Sequence, residues 1–96
     1  MRSFVWVGHD VPESAEVRKR HRPAHLEALE GLEAAGRIHF AGPLLGEDEE
    51  PIGSVIVFDA LDIDEARAIA ERDPYVTEGV FEHYEVHAAR RVFPRS

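Results

Sequence analysis

Hydrophobic residues recur along this 96-residue chain with two different spacings. Runs rich in β-branched and aromatic residues predict strands, over residues 4–7, 37–41, 52–58 and 81–93. Apolar residues three or four positions apart predict two helices between these strands, over residues 23–36 and 62–72. The resulting order, βαββαβ, is typical of a ferredoxin-like α+β fold, in which an antiparallel four-stranded sheet carries its helices on one face.

Turn-forming residues mark where the predicted helices begin and end. Ser14 can cap a helical turn that runs to about residue 20, and Pro23 is expected to interrupt or restart the helix because it has no N–H to donate. Gly36 is a typical helix stop. Asp73 precedes Pro74, which suits the first position of a helix, so this pair predicts a separate short helical turn.

The strand predicted over residues 52–58 has apolar side chains on both of its faces. Both faces of the sheet must therefore be covered, one by the helices and the other by a different structure. A second copy of the chain is the most economical cover, which predicts a homodimer that joins through its sheets as a dimeric α+β barrel. In the second strand, Ile38 and Phe40 are expected on one face, and Gly42 and Pro43 are expected to end or bend the strand.

Composition narrows the class of protein. Asp and Glu number 19 against 11 Lys and Arg, and the net charge of −8 argues against binding to nucleic acid or to an anionic membrane. The apolar run at residues 4–8 is far too short for a signal core or a membrane span. We therefore expect a single domain over residues 1–96, in the cytoplasm. Neither a dinucleotide-binding nor a P-loop pattern occurs, so no organic cofactor is expected.

Charged clusters have simple interpretations. The basic run at residues 18–22 is interpreted as a solvated helix face, with reception of an anionic substrate as the alternative. The acidic run at residues 47–50 is interpreted as a solvated loop. His83 and His87 share one face of the last strand with Glu85, but at about 3.3 Å per residue the histidines stand roughly 13 Å apart. That separation is too long for joint ligation, so no metal site is expected; His83 and Glu85 with His39 are the alternative.

His25 and Asp73 are the candidates for acid–base chemistry. A histidine can take and return a proton near neutral pH, and a carboxylate bonded to one ring nitrogen orients it. Position alone favours structural roles for both residues. His25 shares the inward side of its helix with Leu29 and Leu32, and Asp73 suits a helix N-cap.

Five ordered blocks of the chain resemble the signature of the YCII-related (YciI-like) family. They cover nearly the whole sequence, and the closing Arg91-Val92-Phe93 also fits. The blocks are Arg22-Pro23-Ala24-His25-Leu26, Ala41-Gly42-Pro43-Leu44, Pro51-Ile52-Gly53-Ser54, Asp73-Pro74-Tyr75-Val76 and Gly79-Val80-Phe81-Glu82. The resemblance implies a ferredoxin-like domain that dimerises through its sheet, with a pocket that holds a histidine and an aspartate, here His25 and Asp73.

The resemblance favours a catalytic role for the pair. His25 is expected to transfer protons and Asp73 to orient it, in an isomerase, lyase or hydrolase reaction on a small metabolite. The alternative is a non-catalytic module that binds a small molecule in the same pocket. Further candidates for substrate binding are taken from the family pattern or from their place near the pair, and some have a simpler structural role: Arg22 as an anion contact or a surface ion pair, Gly42 and Pro43 at the pocket floor, Ser54 as a hydrogen-bonding group or an ordinary strand residue, and Tyr75 and Phe81 as pocket or core aromatics.

Overall fold

The computed structural model describes residues 1–95 and has seven helices and strands in these residues. Its strands are β1 (Arg2–Asp10), β2 (Ile38–Leu45), β3 (Pro51–Ala60) and β4 (Phe81–Ala89). Its helices are α1 (Ala15–Ala34), α2 (Ile63–Glu71) and the single-turn α3 (Pro74–Thr77). No helix in the described part of the chain is long and apolar enough to cross a bilayer.

The four strands form one antiparallel sheet in the order β2-β3-β1-β4. This order places the first and third strands side by side at the centre, where Phe4 pairs with Phe58 and Trp6 with Ile56. The ferredoxin-like α+β fold predicted from the order of elements is therefore confirmed.

One face of the sheet packs under the helices and forms the core. Because side chains alternate along a strand, residues two apart point to the same face. Phe4, Trp6, Ile56 and Phe58 lie on the helix-covered face and are at most 1% exposed. The opposite, open face carries the alternate positions, among them the paired residues Val5 and Val57, which stay partly exposed.

Helix α1 corrects two predictions made from local signals. Its 20 residues run without interruption through Pro23. Proline removes one hydrogen bond, and both Pro23 and Lys19, whose carbonyl loses that bond, are exposed to water, so packing on the opposite side of the helix outweighs the loss. Ser14 precedes the helix but makes no side-chain cap, because its hydroxyl bonds Asp10 instead.

Strand β2 differs from two further predictions made from the sequence. It continues through Gly42 and Pro43 to Leu45, and as an edge strand it has a side on which a missing N–H costs little. The ladder shifts between Ile38 and Phe40, so Ile38 pairs with Phe58 whereas Phe40 pairs with Val57. The two side chains therefore lie on opposite faces, because one extra residue in a strand reverses the alternation. Strand β4 ends at Ala89, four residues before the predicted boundary.

Candidate active site

A cavity of about 980 Å³, here called the main cleft, lies between α1 and the edge formed by β2 and β3. One stripe of α1 forms its wall, and this stripe includes Arg18, Arg22 and His25. These positions are four and three residues apart, so they follow one side of the helix. The floor comes from the helix-covered face of the sheet, including Pro43 and Ser54.

His25 and Asp73 are in direct contact at the inner end of this wall. His25 Nδ1 lies 2.7 Å from Asp73 Oδ2, and the two residues are only 6% and 3% exposed. They are 48 positions apart in the chain, so only the packing of α1 against α3 brings them together. His25 lines the main cleft, whereas Asp73 lies behind it and borders a separate cavity of about 200 Å³.

The start of α3 holds the Asp73 carboxylate in place. Asp73 has extended backbone angles, and the same Oδ2 atom that contacts His25 accepts the backbone N–H of Tyr75 at 2.9 Å. Pro74 at the first helical position needs no hydrogen-bond partner of its own. One oxygen therefore serves as the N-cap of α3 and as the partner of the imidazole.

Aromatic rings fix the plane of the imidazole. The Tyr75 ring stacks on His25 with centroids 3.8 Å apart and an angle of 5° between the planes. Trp6 meets the same imidazole edge-on, at 6.5 Å and 76°. Burial raises the pKa of the Tyr75 phenol, an effect that the nearby Arg18 partly opposes. Tyr75 is therefore a neutral aromatic support for His25 at physiological pH.

The contact with Asp73 also decides where the proton of neutral His25 resides. An ionised carboxylate can only accept hydrogen bonds, so Nδ1 must carry the hydrogen. The other nitrogen, Nε2, then has a free lone pair, and it makes no hydrogen bond within residues 1–95. The arrangement can accept a proton from a molecule in the main cleft.

Most other residues proposed from the sequence also reach the main cleft. Its lining includes Arg22, Gly42, Pro43, Ser54 and Tyr75.

Phe81 is the exception among these candidates. It is 6% exposed and lies in the core, where its ring meets Trp6 and Tyr75 edge-on with centroids 6.1 Å and 5.7 Å away. Its contact with the site is indirect, through the two rings that support His25.

A buried polar cluster around Arg18 was missed from the sequence. The Arg18 side chain is 11% exposed and the Asp10 side chain 2%, with Arg18 Nε 2.6 Å from Asp10 Oδ2. Arg18 Nη2 donates to the carbonyl of Gly53 at 2.6 Å and to Ser54 Oγ at 2.8 Å. The interpretation of residues 18–22 as a solvated face is therefore wrong for Arg18. The usable signal was its position seven residues before His25, which places both on one side of a helix.

Histidines gather on the open face of the sheet, away from the main cleft. His9 joins His83 and Glu85, with candidate ligand atoms within 4.8 Å of one another, because β1 pairs His9 directly with His83. His39, considered as a third ligand from the sequence, instead contacts Asp59 Oδ1 at 2.8 Å. Burial raises the pKa of Asp59, but its hydrogen bonds with His39 and Ser3 outweigh that effect and the net shift is downward.

Comparison with known proteins identifies the family. A model of the YCII-related domain matches residues 2–90. Protein YciI of Escherichia coli O6:H1 is 35% identical over 96 residues, which cover 94% of this chain and 98% of that protein. A protein of Emericella nidulans that is named derivative of benzaldehyde biosynthesis cluster protein C is 38% identical over 74 residues, which cover 70% of this chain and 76% of that protein.

A solved structure of similar size has the same fold. It is the 5-chloro-2-hydroxyhydroquinone dehydrochlorinase (TftG) from Burkholderia phenoliruptrix, in complex with 2,5-dihydroxybenzoquinone. Its TM-score is 0.82 at 32% identity, over 92% of this chain and 93% of that chain. The resemblance drawn from the sequence blocks is thus confirmed, and this chain belongs to the YCII-related domain family.

Proposed function

We propose that this protein is an enzyme that moves protons on a small hydroxylated or carbonyl-bearing metabolite, with His25 as the general acid–base and Asp73 as its orienting partner. The observation that carries this proposal is the 2.7 Å contact between two buried ionisable side chains, one of which lines the main cleft. A structural cap needs only Asp73, so it leaves the buried imidazole in the cleft wall unexplained.

The chemistry follows from the geometry. His25 Nε2 removes a proton from the substrate, and the released electron pair forms a new double bond. In an elimination, an anionic leaving group departs with the electron pair of its own bond, and the imidazolium then gives its proton to solvent. Asp73 stabilises the imidazolium through Nδ1–H throughout. General acid–base catalysis of this kind contributes about 10²–10⁴-fold to the rate.

The related dehydrochlorinase favours elimination among the three reaction types expected. Its name describes loss of hydrogen chloride from a chlorinated hydroxyhydroquinone, and it is 32% identical to this chain. The proposed chemistry of this chain, with net loss of a proton and an anion, has the same overall outcome; on a hydroxylated ring, the carbon that bears the leaving group first takes up a proton, and loss of a hydroxyl proton then expels the anion. Independence from an organic cofactor, the absence of a resident metal and a cytoplasmic location stay predictions from the sequence.

The experiment compares wild-type protein with His25→Ala and, as a matched helix histidine outside the cleft lining, His21→Ala. Substrates are 5-chloro-2-hydroxyhydroquinone and unchlorinated hydroxyhydroquinone. Chloride release is followed for the first, and exchange of ring hydrogens with deuterated water is followed by NMR for both. We expect His25→Ala to lose at least about 100-fold in rate with its thermal unfolding preserved, and His21→Ala to match wild type. A non-catalytic binding module would give no reaction above background with any of the three proteins.

We also infer that a second copy of the chain covers the open face of the sheet. Val5, Val7, Val55 and Val57 pair with one another at its centre, and the neighbouring Phe40 is 55% exposed.

Val57→Lys places a charge in this apolar surface and is expected to give a monomer by analytical ultracentrifugation. Leu61→Lys alters a residue that is 66% exposed but lies outside the sheet, and it should leave the dimer intact. A wild-type monomer, or a dimer that survives Val57→Lys unchanged, would contradict the inference.

A further inference from the structure

We propose that His9, His83 and Glu85 form a binding site for a divalent transition-metal ion of the zinc type, on the open face of the sheet. The site lies away from the main cleft, and it goes beyond the proposed function because no step of the proton transfer uses it. Three features support it: the pairing of the strands, the freedom of the donor atoms, and the chemistry of the donor set.

The pairing of β1 with β4 brings the three side chains together. His9 lies directly opposite His83 in the ladder, and Glu85 lies opposite Val7. Because side chains alternate along a strand, all of them lie on the open face. Residues directly opposite have Cβ atoms about 4.5–5.5 Å apart, and diagonal neighbours such as His9 and Glu85 are still within reach of long side chains.

The distances are close to those of a coordination sphere. The candidate donor atoms of the three residues lie within 4.8 Å of one another, and His9 Nε2 is 3.7 Å from Glu85 Oε2. The imidazoles of His9 and His83 stack with centroids 4.4 Å apart and an angle of 19° between the planes. A tetrahedral ion with bonds of about 2.1 Å holds its ligand atoms about 3.4 Å apart, so closure needs shifts of about 1 Å. These side chains are partly or fully exposed and can make such shifts without disturbing the core.

The donor atoms are free to bind an ion. Within residues 1–95, none of the three side chains makes a hydrogen bond, since even the contacts of Glu85 with His9 and His87 are 3.7 Å long. His39 differs, because its Nε2 lies 2.8 Å from Asp59 Oδ1. His87 lies beside the second carboxylate oxygen of Glu85, where it can orient the ligand from outside the coordination sphere.

The donor set selects the kind of ion. Imidazole nitrogens suit zinc and neighbouring transition metals, whereas Mg²⁺ and Ca²⁺ take oxygen ligands. Two histidines and one glutamate are a known ligand set for Zn²⁺, with a water molecule in the fourth position. The net charge of −8 also favours a cation over an anion.

This inference departs from the prediction from the sequence that no metal site is present. That prediction compared His83 with His87 and His39, and it did not include His9, which belongs to the first strand. A bound ion would tie the end of β1 to the start of the edge strand β4. It would lie beside the apolar centre of the open face, where the second copy of the chain is inferred to bind.

The test titrates the full chain, free of any affinity tag and of metal, with Zn²⁺ alone. Isothermal titration calorimetry should show saturable binding of one Zn²⁺ per chain, and Mg²⁺ should give no binding. Zn²⁺ should also raise the Tm of wild-type protein, because a ligand that binds the folded state stabilises it. NMR of the imidazoles identifies the ligands: the signals of His9 and His83 should shift with Zn²⁺, and those of His21 and His39 should not.

Variants with matched controls locate the site. His9→Ala, His83→Ala and Glu85→Gln should each weaken Zn²⁺ binding at least about tenfold, since loss of even an outer-shell partner weakens metal binding by that factor. His39→Ala alters another histidine of the sheet and should bind as wild type. His25→Ala should also bind as wild type, which separates this site from the histidine of the main cleft.

The outcomes are distinct from those of the proposed function. Absence of saturable binding by wild-type protein, or full affinity in any one of the three ligand variants, would overturn the site. Loss of Zn²⁺ binding in His25→Ala would place the ion in the main cleft and would equally overturn it. Because no turnover is measured, failure of the proposed catalytic role would leave these results unchanged.

Discussion

Substitution of Asp73 with asparagine, serine and alanine separates its two roles. Asparagine caps a helix about as well as aspartate, so the hydrogen bond from the Tyr75 amide should survive. The bond to His25 changes from a charged to a neutral one, a loss of about 1 kcal/mol. For a domain of this size, about 1 kcal/mol lowers Tm by about 4–8 °C.

The other two variants remove more of the contacts of Asp73 and should be less stable. Asp73→Ser keeps a capping hydroxyl but is too short to reach His25, so it should lose only the bond to the imidazole. Asp73→Ala loses this bond and the cap, which is worth about 1 kcal/mol, for a total of about 2–3 kcal/mol. Thermal unfolding should therefore rank wild type, asparagine, serine and alanine in that order of decreasing Tm.

Turnover should not follow this ranking. Loss of the carboxylate charge removes the stabilisation of the imidazolium, so all three variants should lose about 10²–10⁴-fold in rate, even though Asp73→Asn loses only about 1 kcal/mol of stability. Two-dimensional ¹⁵N NMR of the imidazole gives a readout free of substrate: wild type should carry hydrogen on Nδ1. Wild-type turnover in Asp73→Asn, together with an unchanged tautomer, would refute the catalytic reading and leave Asp73 as a cap.

Three further outcomes test the fold around the site. Gly53→Ala should lower the free energy of unfolding by about 1–3 kcal/mol, because the added Cβ would collide with the backbone carbonyl of Gly8 on the neighbouring strand. Gly31→Ala, at a helical position with open space around it, should raise the free energy of unfolding by about 0.5–1 kcal/mol. Urea titrations measure both changes. Asp10→Asn should lower the free energy of unfolding by about 3–5 kcal/mol and make the cleft wall less rigid, because it leaves the Arg18 charge buried without its partner. Equal urea midpoints for the variant and wild type would contradict this. Burial raises the pKa of Tyr75 in the folded state above its ordinary value of 10.0, so this group's contribution to stability is fully present below about pH 10 and is lost as pH rises through the folded-state pKa. Tyr75→Phe should therefore reduce the fall in stability above about pH 10, measured in a protein in which Tyr84 is also replaced.

Local patterns were sufficient for the order of elements. The unbroken apolar run in β3 and the alternation in β4 are strong strand signals because both reflect burial of one or two sheet faces. Asp62 accepts the N–H of Glu65 at the start of α2, as its spacing in the sequence would suggest. Such signals are local, so they are independent of how the sheet is assembled.

The errors arose where tertiary packing outweighs local preference. Pro23 is a strong helix breaker by itself, yet α1 continues because the residues on its buried side are held by the sheet and by α3. Ser14 is a good cap by composition, but a buried carboxylate nearby is a stronger partner for its hydroxyl. In β2 the shifted register separates Ile38 from Phe40, and periodicity alone does not reveal an extra residue in a ladder.

The sequence by itself determined the strand and helix order and the family, and it was sufficient to choose His25 and Asp73 as candidates, since each of these depends on residues close together in the chain or on ordered blocks. Only the tertiary structure decided that these two side chains touch, that Phe81 stands behind the cleft, and that Arg18 is buried with Asp10 and Ser54. The physical reason is distance along the chain. Arg18 and Ser54 are 36 positions apart, and whether a cation faces water or completes a polar cluster depends on which strand the fold brings against it.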